Sequence, residues 1–372
     1  MPTLLRRLCL SLLLAPLAPL ACLADGLIDL AGHPVKRPAK LERILLGEGR
    51  MLTNLVILDR ELPRQRVVGM LDDFAQLDPG LYAQYLRVYP ELAKISRLSR
   101  GSNGFSVEQA LALRPDLAIF GLGGHGPDAS DVATRQRLEA AGVSVVYIDF
   151  TADPLRNTRP SLRLLGELLG RQAQADSFIR FYEAELAKVS QGLAGLKQKT
   201  SVFIDSRVGL ALGCCETLSN GMLGRLVDLA GGDNIAKPLV PGAHGTVNLE
   251  FLLQRQPSVY VATAIGNPTT LRQQSARIPL GAGIDAATAQ AGLQRALQRE
   301  GITHLQAVRQ GRAHALSHHF NYSASHVAAV QVLAKWLYPA RFRSLDPQAT
   351  LQQYYARFQP VPLPGLYWVS AP

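Results

Sequence analysis

The chain has 372 residues, 47% hydrophobic and 18% charged, with 39 Lys and Arg against 29 Asp and Glu for a net charge of +10. That length suits one large α/β body or two lobes. The positive charge is dispersed and not interleaved with aromatics, which argues against a nucleic-acid partner.

Residues 1–24 place Arg6 and Arg7 before an apolar run broken by Pro16 and Pro19, then small residues up to Ala24. This is the pattern of a secretory signal peptide, cleaved after Ala24, and implies a periplasmic protein. A lipoprotein anchored through Cys22 is the second choice, because Pro19 stands where such signals carry Leu. Cleavage removes Cys9, Cys22 and two positive charges, leaving +8 and only the adjacent Cys214 and Cys215. Neighbouring Cα atoms lie about 3.8 Å apart, below the usual disulfide range, so a bond between them would close a strained ring.

Short apolar runs at 43–47, 66–70, 116–122 and 143–150 read as strands, with helical patterns at 51–58, 107–113 and 133–140 between them. Such alternation predicts a largely parallel sheet covered on both faces. From 154 to 196 the pattern turns helical. After Gly170, apolar residues from Phe178 to Leu196 recur every three or four positions over about 25 residues, the mark of a rigid connector. A second α/β half opens at 201–205 and continues through a helix at 223–230 and a strand at 259–263. Helices at 324–337 and 347–358 close the chain.

The segment 106–120 returns loosely as 248–262. In each copy a Glu (Glu108, Glu250) precedes an apolar helical run, a Pro follows seven residues later, and a β-type run succeeds it. Repetition at this distance implies two similar halves, since a solenoid would repeat over a far shorter period. The expected fold is α/β: two Rossmann-like lobes with mostly parallel central sheets, joined by a single long connector helix, with a ligand cleft between them. The expected boundaries are 25–153 for the N-terminal lobe, 154–198 for the connector helices, 199–340 for the C-terminal lobe and 341–372 for the last helix and tail.

The export signal, the 43–47 strand, the repeated Glu-to-Pro unit, the connector, and the segments 229–236 (LAGGDNIA) and 334–342 (AKWLYPARF) together resemble the helical-backbone class of periplasmic substrate-binding proteins. That resemblance implies a receptor for an ABC importer of ferric siderophores, haem, cobalamin or metal ions, with a ferric siderophore as the first expectation. It implies no catalysis and no cofactor of the protein's own, a monomeric state, and docking of Glu108 and Glu250 on Arg residues of an inner-membrane permease. A carboxylate in a helix's first turn also has a plainer use, favouring the helix by about 0.3–1 kcal/mol.

Ligands of such sheets collect beyond the carboxyl ends of the strands. Loops there offer Arg50, whose planar fork suits an oxyanion on a chelate or a salt bridge to Glu48. Arg207 follows a strand in the same way. His125 and His244 sit among glycines, as ligand contacts or ordinary turn residues. His318, His319 and Tyr322 form the densest donor cluster; one member is expected in the cleft, with metal coordination less favoured than contact, and Tyr322 or Phe320 available for stacking. Cys214 and Cys215 serve as a bonded apolar plate, as soft-metal thiols, or as filling for a turn. An exported enzyme is the competing class, but no GxSxG, HExxH or CxxC motif is present.

Overall fold

The computed structural model describes residues 26–372 except 99, 102, 103 and 212. The signal peptide, its cleavage point and Cys22 lie outside the described residues.

Two sheets carry the molecule. The first holds β1 (Ile44–Leu46), β2 (Val67–Leu71), β3 (Ser96–Leu98), β4 (Leu117–Gly121) and β5 (Ser144–Ile148) in the order β3-β2-β1-β4-β5. All its pairings are parallel. β1, β4 and β5 are buried along their whole length, as parallel strands covered on both faces must be.

The second sheet holds β6 (Thr200–Asp205), β7 (Glu216–Leu218), β8 (Gly232–Asn234), β9 (His244–Thr246), β10 (Val259–Ala264), β11 (Ala313–Ser317) and β12 (Trp368–Ser370). Its parallel part runs β8-β6-β10-β11, repeating the β2-β1-β4-β5 order of the first sheet. Antiparallel additions flank it: the β7/β9 pair beside β6, and β12 beside β11. The repeat seen in sequence is thus a repeat of topology.

The two copies of the Glu-to-Pro unit fold alike. α1 (Val107–Ala112) is capped by Ser106, whose side chain accepts from the Gln109 amide, and runs into β4. α4 (Leu249–Arg255) is capped by Asn248, which accepts from the Phe251 amide, and runs into β10. A helix that feeds a parallel strand runs back along the sheet, so its N-terminus lies at the carboxyl edge. Glu108 and Glu250 are therefore exposed at the carboxyl rim of their sheets.

The connection between the sheets is α2 (Pro154–Leu169) followed by α3 (Gln172–Gly192). Gly170, in the left-handed region at φ 65°, ends α2 where a side chain would be strained. α3 has 21 residues, about 31 Å at about 1.5 Å each, and it does not stand free. Phe178 and Tyr182 are fully buried against Tyr354 and Phe358 of α6 (Pro347–Phe358) and His326 of α5 (His326–Leu337). The Glu185 carboxylate ties the three together, accepting from Gln331 of α5 at 2.8 Å and Thr350 of α6 at 2.9 Å. One apolar core runs from Leu46 and Ile119 through these helices to Val261 and Leu316. Shared burial of this kind resists lobe opening more than a bare linker would.

Candidate functional site

Each contributing loop leaves the carboxyl end of a strand. From the first sheet come Glu48 and Arg50 after β1, Asp73 after β2, and Gly123–His125 after β4. From the second come Arg207 after β6 and His318–Tyr322 after β11, with the β7/β9 pair adding Glu216 and His244. Of these, Gly123–His125, Arg207, Glu216, His244, His318 and Tyr322 line a cleft of about 380 Å³ between the sheets.

Arg50 occupies the base. Only 4% exposed, it donates from Nε to Asp73 at 2.8 Å, lies 3.8 Å from Glu48, and meets His125 Nδ1 at 2.7 Å. Its guanidinium stacks 3.5 Å above the Tyr322 ring, which comes from the other lobe. Burial alone would favour loss of the Arg50 proton, yet Tyr322, Asp73 and Glu48 hold its pKa above the ordinary value. The two carboxylates diverge. Burial raises both, but hydrogen bonds from His125 and the charge of Arg50 bring Glu48 below its usual range. For Asp73, burial outweighs Arg50 and the pKa rises.

Two glycines make this packing possible. Gly124 has φ +137°, and a Cβ there would stand 1.7 Å from Glu48 Oε1. A Cβ on Gly126 would stand 2.2 Å from the Gly47 carbonyl oxygen. Both gaps are far inside van der Waals contact, so the loop can cross over β1 only without side chains at these positions. The same crossing delivers the His125 amide to Glu48 at 2.7 Å.

On the facing wall, Arg207 takes φ +51° and its guanidinium forks onto both oxygens of Glu216, with Nε to Oε2 at 3.1 Å. Its amide donates to Thr263 Oγ1 at 2.7 Å, which fixes the turn. His318 is buried between Thr263 Oγ1, 3.0 Å from its Nδ1, and the Asn321 side-chain Nδ2, 3.2 Å from its Nε2. Burial and the surrounding cations push its pKa well below the ordinary value, so it is neutral. The Tyr322 carbonyl accepts from Asn54 of the first lobe at 2.9 Å, and Asn54 Oδ1 takes the Ala324 amide at 2.9 Å. The lobes are stitched at the base of the cleft.

Five of the residues singled out in the sequence thus share the cleft: His125, Arg207, His244, His318 and Tyr322. Arg50 lies beneath it, engaged by internal partners. His319 points elsewhere, into an enclosed space of about 30 Å³ beside Asp78, whose carboxylate is 3.8 Å away. Burial lowers its pKa, against the pull of Asp78. Phe320 is 2% exposed and packs on Tyr367 in the core, so it is not a stacking surface for a ligand. Cys214 and Cys215 are bonded to each other and pack with the second lobe's core, Cys215 exchanging backbone hydrogen bonds with Val247. Neither lines the cleft. Asp73, Glu216, Leu218 and Met222 went unnoticed in the sequence. Asp73 had one usable signal, as the second of two acids that follow a mostly buried strand.

Among the described residues no group of three or more His, Cys, Asp or Glu is gathered in a way that would hold a metal ion.

Residues 81–317, well over half of the chain, match the family model described as periplasmic binding protein. The chain belongs to the periplasmic binding protein family. Members of this family are substrate-binding proteins of ABC importers, not enzymes; they work in the periplasm, bind small molecules and hand them to ABC permeases. No helix among the described residues is long and apolar enough to cross a membrane.

Solved structures of the same fold include a TroA-like periplasmic binding protein, FepB, from Veillonella parvula, with TM-score 0.80 at 23% identity over 93% of this chain and 99% of that one. The molybdate-bound MolA of Haemophilus influenzae aligns with TM-score 0.67 at 18% identity over 91% and 99%. The heme-binding RhuT of Roseiflexus sp. RS-1 gives 0.57 at 18% over 81% and 100%. A comparison with curated proteins found no match.

Proposed function

We propose that this periplasmic binding protein captures a ferric siderophore in the cleft between its lobes and presents it, unaltered, to an inner-membrane ABC permease through Glu108 and Glu250. The observation that carries the cargo reading is the charge balance of the cleft. On the cleft wall Arg207 is matched by Glu216, and beneath the cleft Arg50 is matched by Asp73 and Glu48. His318 is neutral, and Leu218, Met222 and Ala243 add apolar wall. Such a surface suits a compact chelate of low net charge, a hydroxamate-type ferric complex, over a tris-catecholate with several negative charges. Iron would stay inside the chelator.

The docking reading is supported by the matched position of two exposed carboxylates on rigid, capped helices. Charged rims of this kind steer encounter and fix register more than they add affinity. Glu108 is held by Arg137, and hydrogen bonding to it lowers the Glu108 pKa, keeping it ionised.

Calorimetric titration of the mature protein with ferric trihydroxamate and ferric tris-catecholate complexes tests the cargo. Tighter binding of the hydroxamate is expected; preference for the catecholate would overturn the charge argument. Haem is the second reading, favoured by the imidazoles of His125 and His244 on the cleft wall and by the heme-binding neighbour. A Soret band that persists through gel filtration would establish it.

A further inference from the structure

Both tryptophans of the chain, Trp336 on α5 and Trp368 on β12, line one cavity of about 600 Å³. It shares no residue with the cleft. Trp336 stacks flat on His314 of β11, with ring centroids 4.3 Å apart and planes at 5°. His314 Nδ1 is fixed by Ser370 Oγ at 2.9 Å. Burial pushes the His314 pKa down to about 3, so this wall is aromatic and uncharged at any physiological pH.

Two cations face one acid at the cavity. Arg312 and Lys335 border it, the first donating to the Trp336 carbonyl at 3.4 Å and the second to the Leu345 carbonyl at 2.6 Å. Neither is ion-paired among the described residues, and both contacts leave N–H donors free. The one acid, Asp346, is engaged in capping α6, accepting from the Ala349 amide at 3.0 Å. Planar apolar walls with spare cationic donors complement a flat ring bearing an anionic group.

We propose that this cavity is a second ligand site, separate from the cargo cleft, for a planar aromatic carboxylate. The ring lies against the indole walls and the carboxylate meets Arg312 and Lys335. Free aromatic acids and an aryl carboxylate carried on a larger molecule share this chemistry.

Two tryptophans give two indole N–H signals, so ¹⁵N-indole NMR of the intact mature protein reads the site directly. The probe is 1-naphthoate, with 1-naphthalenemethanol as the ring without charge and cyclohexanecarboxylate as the charge without a flat ring. Naphthoate should shift both indole signals saturably at concentrations below about 5 mM, with the controls at least about tenfold weaker. Arg312→Gln should weaken naphthoate about tenfold, the scale of one charge-assisted hydrogen bond; Lys335→Gln provides the same test should the first variant not fold. No saturable shift, equal response to cyclohexanecarboxylate, or wild-type affinity in both variants would overturn the proposal. So would indole shifts that follow protein concentration without probe, which would assign the cavity to self-association.

Discussion

Replacing Arg50 with Met distinguishes a structural pin from a cargo contact. The substitution keeps the side chain's length and apolar stem but leaves Asp73 and Glu48 buried, 5% exposed each, without their shared cation. Breaking a buried ion pair on one side costs about 3–5 kcal/mol. Unfolding entropy scales with length, to about 0.7 kcal/mol/K for a chain of this size, so Tm should fall by roughly 4–7 °C. The loss should shrink on acidification, because protonating the two orphaned carboxylates removes the buried charge. Differential scanning fluorimetry at pH 7 and pH 4 reads both effects. Loss of cargo binding with an unchanged Tm would refute this reasoning and make Arg50 a direct ligand contact.

Gly124→Ala should push Glu48 off the His125 amide, because the new Cβ would overlap its carboxylate; a weaker cargo affinity with a lowered Tm is expected, and wild-type values for both would count against the tight crossing of that loop. Glu108→Gln together with Glu250→Gln should stop uptake in cells while calorimetric cargo affinity stays the same; lost affinity would mean these carboxylates shape the cleft. Glu185→Gln should cost about 1–3 kcal/mol at neutral pH by weakening the bonds that join α3, α5 and α6. Burial raises the Glu185 pKa, but bonds from Lys188, Gln331 and Thr350 overcome this and lower it. Its stabilisation is therefore complete above the unfolded carboxylate pKa and is lost as pH falls through the folded value. The gap between wild type and variant should close on acidification, and a gap independent of pH would contradict the assignment.

The periodic parts of this molecule were legible because burial dictates their composition. Runs such as Leu117–Gly121 are apolar throughout since parallel strands are covered on both faces. The repeated Glu, apolar helical run and Pro disclosed the paired halves without any structure. The edges were less legible. β7 and β9 are three residues each and mix His, Gly, Glu and Thr, so no alternation marks them. β12 lies in the tail and joins its sheet only through pairing with distant β11.

Site residues were picked out because loops beyond the carboxyl ends of strands collect ligands, and His125, Arg207 and Tyr322 line one cavity in the fold. Which way adjacent side chains turn was not readable. His318 and His319 share chemistry and sequence context, yet one borders the cleft and the other faces Asp78 behind it. Glu48, two positions from Arg50, was readable as its partner, but Asp73 and the Glu216 that pairs with Arg207 lie 23 and 9 positions away and are brought in by folding.

Hydrogen–deuterium exchange with and without a ferric trihydroxamate tests most directly whether the guest sits between the lobes. Protection is expected in the loops at 121–126, 206–217 and 318–322, with α3 unchanged. Protection confined to the Trp336 cavity, or none at all, would contradict capture in the cleft.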